Sequence, residues 1–320
     1  MIKRWASWAI KIALTGGALW YLQAKVDLAA AWNVGKSISP MMFLAAFLLQ
    51  VVQILICAGR WRLVLRALGA DLPFGQACQI FCIGNFFGQV LPGAVGGDAV
   101  RMWKTHRAGL SLTASVNSVA LERVATVFGL VLLVAASQPL LLDRLAGQFP
   151  VWAFPGLTLA GVAGIVCLGL LDRAPQSLGH LRVIQGFARL AADSRRLFFQ
   201  ARKCIPLLVV VVIGHINLAL VVYVLAIGLD IDVTALDCMV LVPPVILIAT
   251  LPISMAGWGP REMAMITAFG FIGVSKEHAT ALSVLFGAVS VMIALPGGIF
   301  WLLARREASP DDAGQDAGSV

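Results

Sequence analysis

A carboxylate and a guanidinium stand side by side, as Glu122-Arg123, inside an apolar stretch that runs from 112 to 136. A second pair, Arg261-Glu262, follows the run Pro252-Ile253-Ser254-Met255-Ala256-Gly257-Trp258-Gly259-Pro260, and Asp98 and Arg101 follow Leu91-Pro92-Gly93-Ala94-Val95-Gly96-Gly97. Ionisable side chains within apolar segments are costly, so each needs a partner or a purpose. Asp98 and Arg101 are three apart and share a face on one helical turn, whereas neighbours such as Glu122 and Arg123 point roughly 100° apart and reach different partners. Guanidinium forks suit phosphate oxygens, and helix amino termini after glycine-rich turns add backbone donors. On the functional reading, Arg101, Arg123 and Arg261 grip a phosphate-bearing anion while Asp98, Glu122 and Glu262 orient them or shuttle protons. On the plainer reading these charges are interhelical salt bridges that fix packing. Arg60-Trp61-Arg62, at the end of another apolar block, could gather headgroups at an entrance, but Arg60 and Arg62 fit better as determinants of topology.

The elements that must position these residues are membrane helices. Of the 320 residues 60% are hydrophobic and 12% charged, about half the charged fraction a soluble domain of this size carries, and mean hydropathy is +0.90. Blocks such as Pro206 to Ile227 contain no charge, and a helix of ~20 apolar residues matches the ~30 Å hydrocarbon core. Six segments read as complete spans: about 5–23, 40–59, 112–136, 151–171, 205–228 and 279–303. The first contains Lys11 and has the length of a span, so it is expected to stay as an uncleaved helix rather than a signal peptide. Two further regions, about 74–97 and 238–274, are interrupted by Pro and Gly and predict re-entrant helical hairpins that turn at Pro92, Gly93, Gly96 and Gly97 and at Pro252, Gly257 and Gly259. The predicted fold class is an all-α polytopic transmembrane bundle of about six spans and two such hairpins.

Charge sets the orientation. The net charge is +8 and the pI about 9.5, but the positive residues sit in short loops between apolar blocks, which points to anionic lipid and away from nucleic acid. With the amino terminus cytoplasmic and each broken region returning to its own side, Lys3, Arg4, Arg60, Arg62, Arg66, Arg101, Lys104, Arg107, Arg305, Arg306 and the basic residues of the 172–203 loop all lie inside. Outside remain Lys25, Lys36, Arg144 and Lys276, beside the acidic Asp230, Asp232 and Asp237. Both termini are therefore expected in the cytoplasm. The two broken regions then enter from opposite faces, the pattern of an inverted-repeat transporter with a site near the midplane. Within 180–203, Leu181, Ile184, Phe187, Leu190 and Leu197 recur at helical spacing among arginines, which predicts an amphipathic helix on the cytoplasmic side, either in the interface or as a plain linker. The stretch 1–304 reads as one transmembrane domain, and the small, polar, acidic tail 305–320 as disordered.

No enzyme motif stands out: there is no P-loop, no G-x-S-x-G and no H-E-x-x-H, and Asp230-Ile231-Asp232 reads as a solvated turn. The six cysteines and four histidines are scattered without metal-ligand spacing, so no metal or cofactor is expected.

In order along the chain, Arg60-Trp61, Pro92 through Gly97-Asp98, Arg101, Glu122-Arg123 and Gly257-x-Gly259-x-Arg261-Glu262 resemble the lysylphosphatidylglycerol synthase transmembrane region family, also called flippase-like proteins, from about residue 8 to 304. The resemblance implies a multi-pass protein of the bacterial or archaeal inner membrane. The family includes the flippase half of the bifunctional bacterial synthase, hopanoid-associated proteins and archaeal proteins linked to dolichol-based glycosylation. The synthases carry a large soluble aminoacyl-transfer domain after the membrane part; this chain reaches Val320 without it, so lysyl transfer is not expected here. Within a bacterial cytoplasmic membrane, the expected function is movement of a phosphate-bearing amphiphile (a phospholipid, polyprenyl-phosphate or hopanoid-type lipid) between leaflets. Two other classes stay open: a non-transporting scaffold for a lipid-modifying or glycosyl-transferring partner enzyme, and an intramembrane lipid transferase.

Overall fold

A computed structural model describes residues 27–90, 95–145, 153–170, 182–250 and 258–307. Among these residues the regular elements are helices: α1 Leu28–Lys36, α2 Pro40–Ala67, α3 Phe74–Val90, α4 Val95–Arg107, α5 Leu112–Leu145, α6 Ala153–Leu170, α7 Arg182–Phe198, α8 Ala201–Gly228, α9 Ala235–Thr250, α10 Pro260–Gly270 and α11 Lys276–Glu307. Four stretches are long and apolar enough to cross a membrane, Pro40–Ala67, Leu112–Ser137, Ala201–Gly228 and Lys276–Ala304. The chain is a multi-pass membrane protein. Of the apolar stretch 151–171, residues 153–170 form α6; the expected span 5–23 lies outside the described residues.

Local signals account for the helix starts. Asp27 caps α1, its Oδ1 accepting from the Ala29 and Ala30 amides at 2.9 and 3.0 Å, and Pro40 opens α2, where its missing N–H costs nothing. Helix α2 runs past its apolar block by two turns and so carries Arg60, Trp61, Arg62 and Arg66 on helix rather than loop.

Helices α2 and α8 are antiparallel neighbours. The Ser39 amide bonds to the Gly228 carbonyl at 2.9 Å at one end, Asn217 Nδ2 to the Leu49 carbonyl at 3.0 Å in the middle, and Lys203 Nζ to the Ala67 carbonyl at 3.3 Å at the other. Helix α11 runs parallel to α2. Its amino-terminal residues Thr280 and Val284 face Trp32 and Gly35 of α1, which leads into α2. Its carboxyl end packs on α3, where a Cβ on Gly297 would collide with the Cys82 backbone and one on Gly298 would meet the Phe86 ring at 3.0 Å. Helix association in lipid gains little from the hydrophobic effect and depends on small residues and internal polar bonds, and these contacts use both.

Both Pro/Gly-interrupted regions are two packed helices. Helix α4 returns along α3 with backbones close enough that a Cβ on Gly97 would run into the Gly84 carbonyl and lie 3.0 Å from the Gly88 nitrogen. Helices α9 and α10 pack side by side on either side of 251–259. The expected turn residues are only partly in the turns. Gly96 and Gly97 belong to the first turn of α4, where Gly97 serves a helix crossing, while Pro92, Gly93, Pro252 and Gly257 fall outside the described residues. Gly259 adopts φ 91°, a region that favours glycine, immediately before α10.

Helix α7 covers the centre of the amphipathic stretch 180–203. Its Leu197 is buried against Val64, Leu121, Leu207 and Val211, and its Asp193 accepts from Asn117 Nδ2 of α5 at 2.8 Å. The helix is seated on the ends of α2, α5 and α8. Of the expected tail, 305–307 continues α11 and 308–320 lies outside the described residues.

Candidate functional site

Three helices bring five charged side chains to one place. The end of α2 supplies Arg60, the first turns of α4 supply Asp98 and Arg101, and α5, three turns from its start, supplies Glu122 and Arg123. Glu122 Oε1 accepts from Arg60 Nε at 2.8 Å and from its Nη2; Glu122 Oε2 accepts from Arg101 Nη1 at 3.1 Å. Asp98 is held by the Arg123 fork, Nε to Oδ2 at 2.7 Å and Nη2 to Oδ1 at 3.0 Å, and lies 3.4 Å from Arg101 Nη1. Three guanidinium groups face two carboxylates, so one positive charge is left over.

The cluster has an inner and an outer layer. Arg60, Arg101 and Glu122 are 5%, 3% and 1% exposed, whereas the Arg123 side chain is 47% exposed. Asp98 joins the layers. The Arg101 guanidinium lies between the rings of Trp61 and Phe81, 4.7 Å from each centroid, and Gly84 leaves the room its stem occupies. Arg101 Nε and Nη2 are buried and have no hydrogen-bond partner among the described residues. An unmade bond of this kind costs about 1–3 kcal/mol, more for a charged donor, so an oxygen-rich anion that reached them would bind with that much in its favour.

A second, charge-balanced cluster lies at the start of α10. Glu262 Oε1 accepts from Arg261 Nε and Nη2 at 3.1 and 2.7 Å and from Ser283 Oγ of α11 at 3.1 Å, and Oε2 accepts from the Gly259 amide at 2.5 Å. Arg261 stacks on Trp258 at 4.6 Å and lies 5.8 Å from the Phe286 centroid. Gly287 makes this stacking fit, because a Cβ there would strike the Arg261 guanidinium and the Trp258 ring.

All six ionisable residues that the sequence marks as candidates thus sit in two clusters. Glu122 and Arg123 do take different partners, but Arg261 and Glu262, also neighbours, bond to each other. Arg60 is not at an entrance: it is buried and completes the bonding of Glu122, because α2 continues past its apolar block and turns Arg60 onto the face toward α5. Arg62 is at the end of the bundle, bonded with Arg66 to Asp71 at 3.0 and 3.3 Å; the hydrogen bond from Arg62, joined by Arg66, holds the Asp71 carboxyl below its usual range. The aromatic partners and the uncharged polar residues Gln50, Gln53, Asn217, Ser283 and Ser290 are not among the sequence candidates. The signal for the α2 pair is present nonetheless: Gln50, Gln53 and Arg60 share one helical face. Among the described residues no group of three or more His, Cys, Asp or Glu side chains could hold a metal ion.

A helix bundle with long apolar helices, two packed helix pairs interrupted at Pro/Gly-rich segments and arginine–carboxylate clusters inside it defines a polytopic membrane protein whose business is with lipid. The chain belongs to the family described as the lysylphosphatidylglycerol synthase TM region, whose model matches residues 8–297. A search of curated proteins returned no match.

Proposed function

We propose that this chain is a lipid transporter that moves a phosphate-bearing amphiphile between leaflets, with the Arg60–Glu122–Arg101–Asp98–Arg123 cluster as its headgroup site. The observation that carries this reading is Arg101: a buried guanidinium with two unpartnered N–H groups in a cluster with one excess positive charge. A purely structural salt-bridge set would be expected to balance its charges, as the Arg261–Glu262–Ser283 set does. Arg123, half exposed at the level of the apolar helices, is where a headgroup arriving sideways from the lipid would first meet charge.

The pattern of helix packing supports an inverted repeat. Exchanging α2, α3, α4 and α5 for α8, α9, α10 and α11 maps each packed pair among these helices onto another: α2/α3 onto α8/α9, α2/α5 onto α8/α11, α2/α11 onto α8/α5 and α3/α11 onto α9/α5. Helix α2 packs antiparallel on its own counterpart α8, as a twofold axis in the membrane plane requires. With the basic loops inside, the first hairpin and its net-positive cluster face the cytoplasm of a bacterial inner membrane and the second faces out.

The test is leaflet exchange of dithionite-quenchable anionic phospholipid in proteoliposomes. Wild type is expected to accelerate exchange, and Arg101→Gln, folded by its elution and thermal midpoint, to lose it by tenfold or more. No exchange by wild type, or equal exchange by Arg101→Gln, would move the assignment to a scaffold that organises a lipid-modifying partner.

A further inference from the structure

Between the two charged clusters runs a stripe of uncharged polar side chains. On α2, Gln50, Gln53 and Cys57 lie on the Arg60 face. Gln53 donates to Cys57 Sγ at 3.6 Å and accepts from Asn217 Nδ2 of α8 at 2.9 Å, and Gln50 Nε2 reaches Ser290 Oγ of α11 at 3.4 Å. Two turns back along α11 is Ser283, already bonded to Glu262 and Arg261. Gln50, Gln53 and Asn217 are 5%, 9% and 7% exposed. Arg60 is about 15 Å along α2 from Gln50 and Ser283 about 10 Å along α11 from Ser290 at the helical rise of 1.5 Å per residue. Because α2 and α11 are parallel, these lie on opposite sides of the Gln50–Ser290 contact, and together they come close to the ~30 Å hydrocarbon thickness.

Amides are expensive to place at this depth. Gln53 and Asn217 bond to each other and Gln50 to Ser290, in both cases across helices, and Gln53 also donates to Cys57, so each has a partner that a passing oxygen acceptor could replace. Resting on the transport reading above, we infer that this stripe is the closed form of the headgroup route: a phosphate headgroup leaving the Arg101 cluster is handed from Cys57 and Gln53/Asn217 to Gln50/Ser290 and on to Ser283 and Arg261. The route selects for headgroups rich in hydrogen-bond acceptors, because between the Arg101 cluster and Arg261 it offers amide, hydroxyl and thiol donors and no charge that would hold the anion in place.

The decisive variant is Gln53→Leu combined with Asn217→Leu, which removes both partners of a bond at once and leaves no orphaned amide. Equilibrium binding of anionic phospholipid, read by quenching of tryptophan fluorescence, is expected to stay within twofold of wild type while exchange falls tenfold or more. If wild type and this variant exchange equally and Arg101→Gln does not exchange, the route is wrong and the headgroup site stands. If wild type itself exchanges nothing, both fall. Should the double variant fail to fold, Ser290→Cys in a background with Cys57 replaced by serine, which keeps a donor at that station, and the other native cysteines by alanine decides the same question. A membrane-impermeant thiosulfonate is expected to label it when transported lipid is present and not in its absence; no labelling under either condition overturns the route.

Discussion

Glu122 receives two guanidinium groups at once, one on each oxygen, and so ties the inner layer of its cluster together. Glu122→Gln leaves Arg60 and Arg101 buried against a neutral amide, and breaking a buried pair in this way costs about 3–5 kcal/mol. Arg123→Gln breaks a bond whose arginine is half exposed, so its cost is expected near or below about 1 kcal/mol. Chemical denaturation in detergent should therefore separate the two variants widely; equal losses would contradict the inner-and-outer description of the cluster. The six ionisable residues are legible in the sequence, because a charge in an apolar segment is conspicuous by composition alone. Arg60 is misplaced by sequence reasoning because a basic residue at the edge of an apolar block looks the same whether its helix stops there or continues, and only the continuation of α2 turns it onto Glu122. Gln50, Gln53 and Asn217 escape notice for a different reason: an uncharged amide barely lowers the hydropathy of a window of Leu and Val, and the Gln53–Asn217 bond joins helices far apart in the chain.

Helices α3 and α4, and likewise α9 and α10, are separate elements that flank stretches where proline and glycine cluster in the sequence, so the existence of two interrupted elements can be read from local chemistry. Which glycines turn the chain and which let helices touch cannot, since both uses ask for the same missing Cβ. Gly97 is of the second kind. In Gly97→Ala the new methyl meets the Gly84 carbonyl and Gly88 nitrogen, both backbone and unable to swing aside, so α4 must move off α3. Overpacking of this kind costs about 1–3 kcal/mol, and here it also shifts Arg101 relative to Trp61 and Phe81. Gly75→Ala, in the same helix α3 with open space around its Cβ position, is the control and is expected to be neutral or to stabilise by about 1 kcal/mol or less. Thermal unfolding of the two variants in one detergent decides the matter: similar midpoints would mean that the close crossing of α3 and α4 does not hold the hairpin together.

At the scale of the whole molecule, the matched packing of the two helix quartets goes with an unmatched distribution of charge. The cluster on the first hairpin has a surplus guanidinium and, among the described residues, unpartnered donors; the one on the second is balanced, and there Arg261 donates to Ser283 of α11 where Arg101 donates to Glu122 of α5. If the two quartets were related by a simple rotation about the membrane normal, both clusters would lie near the same leaflet and no headgroup would need to pass between them. On the proposed inverted arrangement they would lie near opposite leaflets, and on the proposed transport an anion would be drawn to the first and released more readily from the second. The corners that discriminate are the α2–α3 loop at Asp71 and the α10–α11 loop at Ser275, both exposed. With the native cysteines replaced by alanine, Asp71→Cys and Ser275→Cys are expected to react with an impermeant maleimide from opposite sides of oriented membrane vesicles, Asp71→Cys from the cytoplasmic side. The loop at Asp71 carries Arg62 and Arg66 beside it and the loop at Ser275 only Lys276, which is the direction the positive-inside bias demands. Reaction of both from one side would dissolve the inverted repeat, and with it the reason for placing binding at one cluster and release at the other.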